Sequence, residues 1–280
     1  MSPDGRTTLA RPDLAAAWLE GLVPAQRYAP MRARRCRVTS APIREAPSAE
    51  AVQQDQLLFG ERFEVLETRD GWAWGQAARD GYVGYVRAEA LDGELAAPTH
   101  RVSAIRTLGF ERPDKKAPVM LPLSINSLVT AEREAGGWVE TSGAGWVFAG
   151  HLAPVGGFER DPAAVAERFL GAPYLWGGRE ITGVDCSGLV QQALLACGRG
   201  CPRDADQQAA ALGREIGESE LRRGDLVFWP GHVAMMLDEA RAVHATGSTM
   251  SVVVEPVEAI TSRRLAAGSG GPTVFRRPLC

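Results

Sequence analysis

The chain has 280 residues, 45% of them hydrophobic and 23% charged, which is the composition of an ordinary globular protein. Its 31 basic and 34 acidic side chains leave a formal net charge of −3, so overall charge gives no reason to expect nucleic acid or an acidic membrane as a partner. The length allows two or three domains.

The N-terminal residues, MSPDGRTTLARPDLAAAWLEGLVP, have acidic side chains early and no apolar core of signal-peptide length. Residues 10–22 predict a short helix with Asp13 near its start, within an N-terminal helical segment at 1–29. No window of the chain approaches the apolar length of a membrane span, so we expect no membrane partner.

The cysteines have an odd count and irregular spacing, at positions 36, 186, 197, 201 and 280. This pattern does not resemble the disulfide framework of a small secreted protein. We therefore expect a cytoplasmic protein whose thiols are mostly reduced.

Short alternating runs separated by turn signals begin at about residue 30. Asp-Gly pairs at 70–71 and 80–81 predict tight turns between strands. The same pattern of short alternating runs returns after residue 100, where GGWVE resembles DGWAWG and GWVFAGHL resembles GYVRAEAL. Two copies of one small all-β unit are therefore expected, at 30–96 and 97–155.

The remaining residues, 156–280, carry helical patterns first and strand patterns afterwards, which indicates an α+β domain. The stretch DPAAVAERFLG has an Asp N-cap, a Pro at the first helical position and a Gly at its end. A second helix begins at Cys186 in GVDCSGLVQQALLACG, with Asp185 as its N-cap. Four predicted strands follow: DLVFW and HVAMML as a hairpin, then AVHAT and SVVVEPV.

Cys186 stands in the first turn of its helix, where backbone N–H groups are unpaired and the helix dipole favours an anion. Its apolar neighbours share one helical face, so we expect Cys186 at the exposed lip of a packed element. Such a position can lower the pKa of a thiol and make it a nucleophile.

Two of the four histidines fall in the same domain, His232 at the start of one strand and His244 inside the next. If these strands pair antiparallel, an imidazole beside the thiol can act as its base and a second polar group can orient that base. The alternatives are a buried structural cysteine with ordinary packed histidines, and a zinc site at Cys197 and Cys201, for which no second ligand pair follows.

The motifs APYLWGGRE, GVDCSGLVQQAL, CPRDADQQ, LRRGDLVFWPGHVAMML and AVHATGS, in this order and at these separations, resemble the NlpC/P60 family of papain-like cysteine peptidases. The resemblance covers about residues 160–280, and the two β repeats are similar to bacterial SH3 domains. It implies an α+β fold in which a papain-like NlpC/P60 catalytic domain is preceded by two small all-β SH3-like barrels.

By this resemblance, Cys186 matches the nucleophile, His232 the general base and His244 the orienting residue. Tyr174 matches a tyrosine that lines the site near the oxyanion position. No metal and no cofactor are implied.

The resemblance also implies a set of substrate-binding residues. Arg203 and Asp204 match a pair that borders the S2 pocket, where the acidic residue binds a free α-amine and Ser187 helps to line the pocket. Asp204 could also be a helix N-cap, and both roles can hold at once. Glu61 and Tyr82 match residues of the first SH3 domain that close this pocket.

The implied activity is a cysteine endopeptidase that cuts the γ-D-glutamyl-L-diamino acid bond of murein stem peptides with a free N-terminal L-Ala, during cell-wall recycling. The alternatives are another amidase or acyltransferase of the same fold, and a non-catalytic SH3 peptide-binding protein.

Overall fold

The structure is a computed structural model that describes residues 4–93 and 96–278, so Cys280 lies outside the described residues. The chain divides into two compact units, Met1–Val155 and Gly156–Cys280. Within the described residues, no helix combines the length and the apolar character that crossing a bilayer requires.

The helix predicted over residues 10–22 is wrong. This segment contains a two-residue strand, β1 (Ala15–Ala16), and a single 3₁₀ turn at Ala17–Leu19. Strand β1 pairs in parallel with β2 (Tyr28–Ala29), and the apolar side chains of the segment pack with Trp74 of the following domain. A short helix is marginal without tertiary support, and here packing favours the extended arrangement instead.

The first β-domain contains one seven-stranded antiparallel sheet. Its strands are β3 (Arg32–Cys36), β4 (Ser40–Arg44), β5 (Gln53–Leu58), β6 (Arg62–Arg69), β7 (Trp72–Ala77), β8 (Val83–Arg87) and β9 (Leu91–Asp92), in the spatial order β5-β4-β8-β7-β6-β3-β9. Asp70 and Gly71 connect β6 to β7 with φ angles of 50° and 78°, the left-handed conformations that a two-residue hairpin turn needs. The turn predicted at 70–71 is confirmed.

The second β-domain has eight short strands in two sheets. They are β10 (His100–Val102), β11 (Arg106–Phe110), β12 (Val119–Ser124), β13 (Leu128–Val129), β14 (Ala131–Ala135), β15 (Trp138–Thr141), β16 (Gly145–Phe148) and β17 (Leu152–Pro154). The sheet orders are β13-β10-β17 and β12-β11-β16-β15-β14. Both β-domains end with a strand, a 3₁₀ turn and a last short strand, at Val83–Asp92 and Gly145–Pro154. This common order explains the sequence similarity between GYVRAEAL and GWVFAGHL.

The second unit combines helices with a six-stranded antiparallel sheet. Its described helices are α1 (Pro162–Glu167), α2 (Cys186–Ala196), α3 (Ala205–Ala211) and α4 (Val257–Ala266). Its strands are β18 (Arg179–Glu180), β19 (Gly183–Val184), β20 (Arg214–Glu215), β21 (Leu226–Trp229), β22 (His232–Met236), β23 (Arg241–Thr246), β24 (Ser251–Pro256) and β25 (Val274–Arg277). The large sheet has the order β20-β25-β21-β22-β23-β24.

The buried centre of the second unit positions the site. All residues of β21 and β22 are buried, and Trp229 pairs with His232 across the predicted hairpin. Helix α2 contacts α1, β22 and β23, and ten of its eleven residues are buried. Helices followed by strands around one core confirm the α+β class.

Candidate active site

Cys186 is the first residue of α2, and its side chain is closed off from solvent. The carboxylate of Asp185 accepts hydrogen bonds from the N–H groups of Gly188 and Gly177, both at 2.7 Å. The predicted N-cap is therefore confirmed. The expectation that Cys186 lies at an exposed lip is wrong, since only 7% of the residue is accessible. The neighbouring helix and strands bury the first turn of α2 as well as its middle.

His232 and His244 lie on adjacent antiparallel strands, as the sequence predicts. The register pairs Met235 with Val243, which places the two histidines at diagonal positions on one face of the sheet. Nε2 of His232 is 2.8 Å from Nδ1 of His244, and the two residues are 7% and 1% exposed. One imidazole is thus held by the other in a buried site.

The thiol of Cys186 faces the strand that carries His232. The backbone of Val233, the next residue after His232, and that of Ser187 in its own helix both act to lower the pKa of the thiol, though less than burial raises it. Nε2 of His232 is already engaged by His244. Nδ1 is therefore the ring nitrogen that remains to take the thiol proton.

Burial controls the acid–base state of this pair. It raises the pKa of the Cys186 thiol to about 12, and the charge of Asp185 acts in the same direction. Burial also lowers the pKa of His232 to about 3. A helix N-terminus stabilises an anion by only about 0.3–1 kcal/mol, less than one pKa unit, whereas burial shifts a pKa by up to about 3–5 units. The prediction of a lowered thiol pKa is therefore wrong, and at neutral pH both groups are uncharged at rest.

Alkylation of Cys186 by iodoacetamide is accordingly expected to be slow at neutral pH, because the thiolate is the reacting form. With a pKa of about 12, the thiolate fraction is more than about a thousandfold below that of an ordinary thiol. Peptide-resolved mass spectrometry should show a rate that rises about tenfold for each pH unit through the alkaline range. A rate equal to that of free glutathione near neutral pH would contradict the raised pKa of Cys186.

Tyr174 lies beside the nucleophile in the segment before β18. Its N–H donates to the carbonyl of Met250 at 2.9 Å, and its backbone forms a bridge with Val184 close to the start of α2. Burial raises the pKa of its phenol, and the charge of Cys186 raises it further. The hydroxyl therefore keeps its proton and can donate to an oxyanion that forms near the sulfur.

Arg203 supports the nucleophile helix. Its guanidinium binds the carboxylate of Asp185 through Nη2 at 2.6 Å and Nη1 at 3.0 Å, and Nη1 also donates to Oγ of Ser187 at 2.8 Å. Arg203 is 1% exposed. The predicted role of this side chain in contacting substrate is wrong, because the guanidinium is turned inward to hold the N-cap. The hydroxyl of Ser187 is turned toward the same guanidinium.

Asp204 is the N-cap residue of α3, and its N–H lies 3.3 Å from Oε1 of Gln207. From the same helix, Gln208 donates to the carbonyl of Ser187 at 2.9 Å, so the start of α3 lies against the first turn of α2. Asp204 is partly exposed. The structure therefore places a partly accessible acidic residue close to the nucleophile.

Glu61 and Tyr82 lie inside the first β-domain. The carboxylate of Glu61 accepts from the N–H of Leu58 at 2.9 Å and pairs with Arg79, and burial raises its pKa to about 7. Tyr82 is 3% exposed and belongs to the core of this domain. Their part in closing a substrate pocket stays a prediction.

Sequence reasoning missed Glu255 and Arg263. Oε2 of Glu255 is 2.8 Å from Nε2 of His244, and Arg263 binds both carboxylate oxygens of Glu255. Val253 pairs with His244 in the β-ladder, so Glu255 occupies the diagonal position on the same face. A single acidic residue at the end of the apolar run SVVVEP was the available signal.

Comparison with known proteins relates two stretches of the chain to known families. Residues 43–91 match the family model of the bacterial dipeptidyl-peptidase SH3 domain, and residues 171–267 match that of the NlpC/P60 family. Dipeptidyl-peptidase 6 of Lysinibacillus sphaericus is 27% identical over 224 residues, which cover 71% of this chain and 82% of the relative. Gamma-D-glutamyl-L-lysine dipeptidyl-peptidase of Bacillus subtilis (strain 168) is 28% identical over 245 residues, which cover 77% and 80%.

Among solved structures, an NlpC/P60 family protein from Bacillus cereus ATCC 10987 superposes with a TM-score of 0.77 at 18% identity. The superposition covers 89% of this chain and 100% of that protein. At this identity the likeness shows that the two chains share a fold.

Proposed function

We propose that this chain, an NlpC/P60 cysteine peptidase with an SH3 domain of the bacterial dipeptidyl-peptidase type, cleaves bacterial cell-wall stem peptides that begin with a free L-alanine. The bond it hydrolyses joins the γ-carboxyl group of D-glutamate to the L-amino group of the diamino acid. The observation that carries the proposal is the buried set of Cys186, His232 and His244 at the tip of α2. Curated relatives with the dipeptidyl-peptidase names support the choice of bond.

The geometry supports a general-base mechanism. His232 takes the proton of Cys186 through Nδ1 while the sulfur attacks the γ-carbonyl carbon, so the charge develops as the bond forms. The hydroxyl of Tyr174 and the N–H of Cys186 at the helix start are the donors for the tetrahedral oxyanion. His232 then protonates the departing amine, and water attacks the thioester to release L-Ala-γ-D-Glu and regenerate the thiol.

Asp204 supplies the selectivity for a free amine in this proposal. A carboxylate in a cleft attracts an ammonium group, and it disfavours an acylated nitrogen, which offers no charge. The anchoring of Arg203 to Asp185, together with the contact of α3 with α2, supports a location of Asp204 near the reacting bond. The cleaved bond would then lie at a fixed distance from the bound N-terminus of the peptide, which favours release of a dipeptide.

A role in recycling of wall fragments within the cytoplasm belongs to the same proposal. The odd count and irregular spacing of the cysteines suit a reducing compartment. A requirement for a free amine favours short peptides already released from the glycan. Fractionation of the native cells with detection of the protein tests this: recovery with the envelope would contradict it.

Release of L-Ala-γ-D-Glu from L-Ala-γ-D-Glu-diaminopimelate, and from its lysine counterpart, is the expected result that tests the substrate. Acetylation of the peptide N-terminus should lower kcat/KM by about 100-fold or more, because the carboxylate of Asp204 then has no ammonium group to bind. Asp204→Asn should raise KM for the free peptide and reduce the discrimination between the two peptides. Liquid chromatography with mass spectrometry measures both products.

Asp206→Asn is the matched control, since it is the same chemical change at an exposed position of the same helix. It should leave kcat/KM and the discrimination unchanged. Equal rates with free and acetylated peptides would remove Asp204 from amine recognition. Absence of any dipeptide release from either peptide would contradict the proposed bond.

A further inference from the structure

A chain of hydrogen bonds continues from the catalytic histidines toward the surface. Nε2 of His232 faces Nδ1 of His244, and Nε2 of His244 faces Oε2 of Glu255, each at 2.8 Å. Arg263 donates to Oε1 of Glu255 at 2.9 Å and to Oε2 at 2.6 Å. The exposed fraction of the side chains rises from 0% at His244 to 21% at Glu255 and 38% at Arg263.

The charge on Glu255 determines which nitrogen of each ring carries the proton. Arg263 lowers the pKa of Glu255 to about 2, so at neutral pH its carboxylate can only accept hydrogen bonds. Nε2 of His244 must therefore carry the proton, and because burial keeps this ring neutral, its Nδ1 has a lone pair. That lone pair accepts from Nε2–H of His232. Nδ1 of the neutral His232 ring is then unprotonated, as a general base requires.

We infer that Glu255, held by Arg263, is a positioning residue for the reaction: through His244 it sets the tautomer of His232 so that Nδ1 presents its lone pair to Cys186. Four linked side chains therefore support the sulfur: the two histidines, and behind them Glu255 and Arg263. The inference rests on the proposed function only for its kinetic test.

The carboxylate also stabilises the charge that appears during the reaction. When His232 takes the thiol proton, its ring becomes a buried cation. Glu255 favours this cation, whereas Arg263 and Arg264 of α4 oppose it. Without the carboxylate, the two arginines lose the anion that offsets them, and proton transfer to His232 becomes harder.

Glu255→Gln and Glu255→Leu separate the acceptor oxygen from the rest of the side chain, because only glutamine keeps such an oxygen. Oε2 of Glu255 accepts from both Arg263 and Nε2 of His244, so an amide oxygen at the same place can satisfy both donors. Glutamine should therefore keep the proton of His244 on Nε2 and the lone pair of His232 toward Cys186. Leucine offers no acceptor, so nothing holds the proton on Nε2 of His244.

Long-range ¹H–¹⁵N NMR correlations of the full chain report the protonation of each ring nitrogen in its four histidines. We expect Nε2–H on His232 and His244 in the unaltered chain and in Glu255→Gln, and mixed protonation of both rings in Glu255→Leu. For peptide cleavage by Glu255→Leu, kcat should fall by about 10²–10⁴-fold with KM nearly unchanged, since the substrate contacts are the same. The NMR result needs no substrate, so it tests the inference even if the proposed peptide is not cleaved.

Glu258→Gln is the matched control, since Glu258 is an exposed carboxylate three residues further on. It should change neither ring protonation nor kcat. Glu255→Leu removes the carboxylate contacts altogether and should give a mixture of tautomers at His232. The inference is overturned if the unaltered chain carries the His232 proton on Nδ1, or if Glu255→Leu leaves the rings as they were. Near-ultraviolet circular dichroism verifies that each variant is folded.

Discussion

Cys186→Ala is expected to lower kcat/KM for peptide cleavage by at least about 10⁴-fold while the chain stays folded. The sulfur is the atom that bonds to the γ-carbonyl carbon, and alanine offers no replacement for it. The change removes one buried atom and keeps the Cβ atom, so it should cost only about 1 kcal/mol of unfolding free energy. Dipeptide release and thermal unfolding, measured on the same preparation, check both statements.

Cys197→Ala provides the matched control, since it is the same chemical change at the C-terminal end of the same helix. Its activity should equal that of the unaltered chain. Peptide cleavage by Cys186→Ala would contradict the assignment of Cys186 as the nucleophile. If the unaltered chain and Cys186→Ala bind the peptide equally and neither cleaves it, the non-catalytic peptide-binding alternative gains support.

Arg203→Met is expected to lower the free energy of unfolding by about 3–5 kcal/mol, the largest stability effect we predict for a single residue. The side chains of Arg203 and Asp185 are 1% and 8% exposed, and two hydrogen bonds join them. Without the guanidinium, the buried carboxylate of Asp185 loses its cation. Because the same carboxylate caps α2, the start of the helix and Cys186 with it should become less ordered. Urea unfolding measures the loss of stability.

Arg223→Met tests whether burial is the reason for the large loss of stability expected in Arg203→Met. Arg223 also binds two carboxylates, Asp161 at 2.7 Å and Glu167 at 2.6 Å, but its side chain is 39% exposed. Solvent screens such a pair, so its loss should cost about 0–1 kcal/mol. A similar loss of stability in both variants would contradict the distinction between a buried clamp and a surface ion pair.

Features that depend on neighbouring residues were predictable. Asp185 caps α2 by reaching an N–H three residues away, and the turn at 70–71 needs only residues that tolerate positive φ. The alternating strands that carry His232 and His244 follow from the period of the sheet. The resemblance to NlpC/P60 peptidases added the roles of these residues, which spacing alone left open.

The errors arose where distant segments meet. Residues 10–22 have a helical pattern, but packing with Trp74 gives them an extended course. The tip of α2 predicts an acidic thiol, but the elements packed around it bury Cys186 and raise its pKa instead. Arg203 sits beside Asp204 in sequence, yet its guanidinium turns to a carboxylate 18 residues earlier.

The amino-acid sequence by itself determined the helix that begins at Cys186, the paired strands of His232 and His244, and the α+β order of elements. These depend on capping, turn and periodicity rules that act within a few residues. Only the tertiary structure decided the charge state of the sulfur and the partners of Arg203 and Glu255. Burial and ion pairing depend on which remote elements come together, and no local pattern records that.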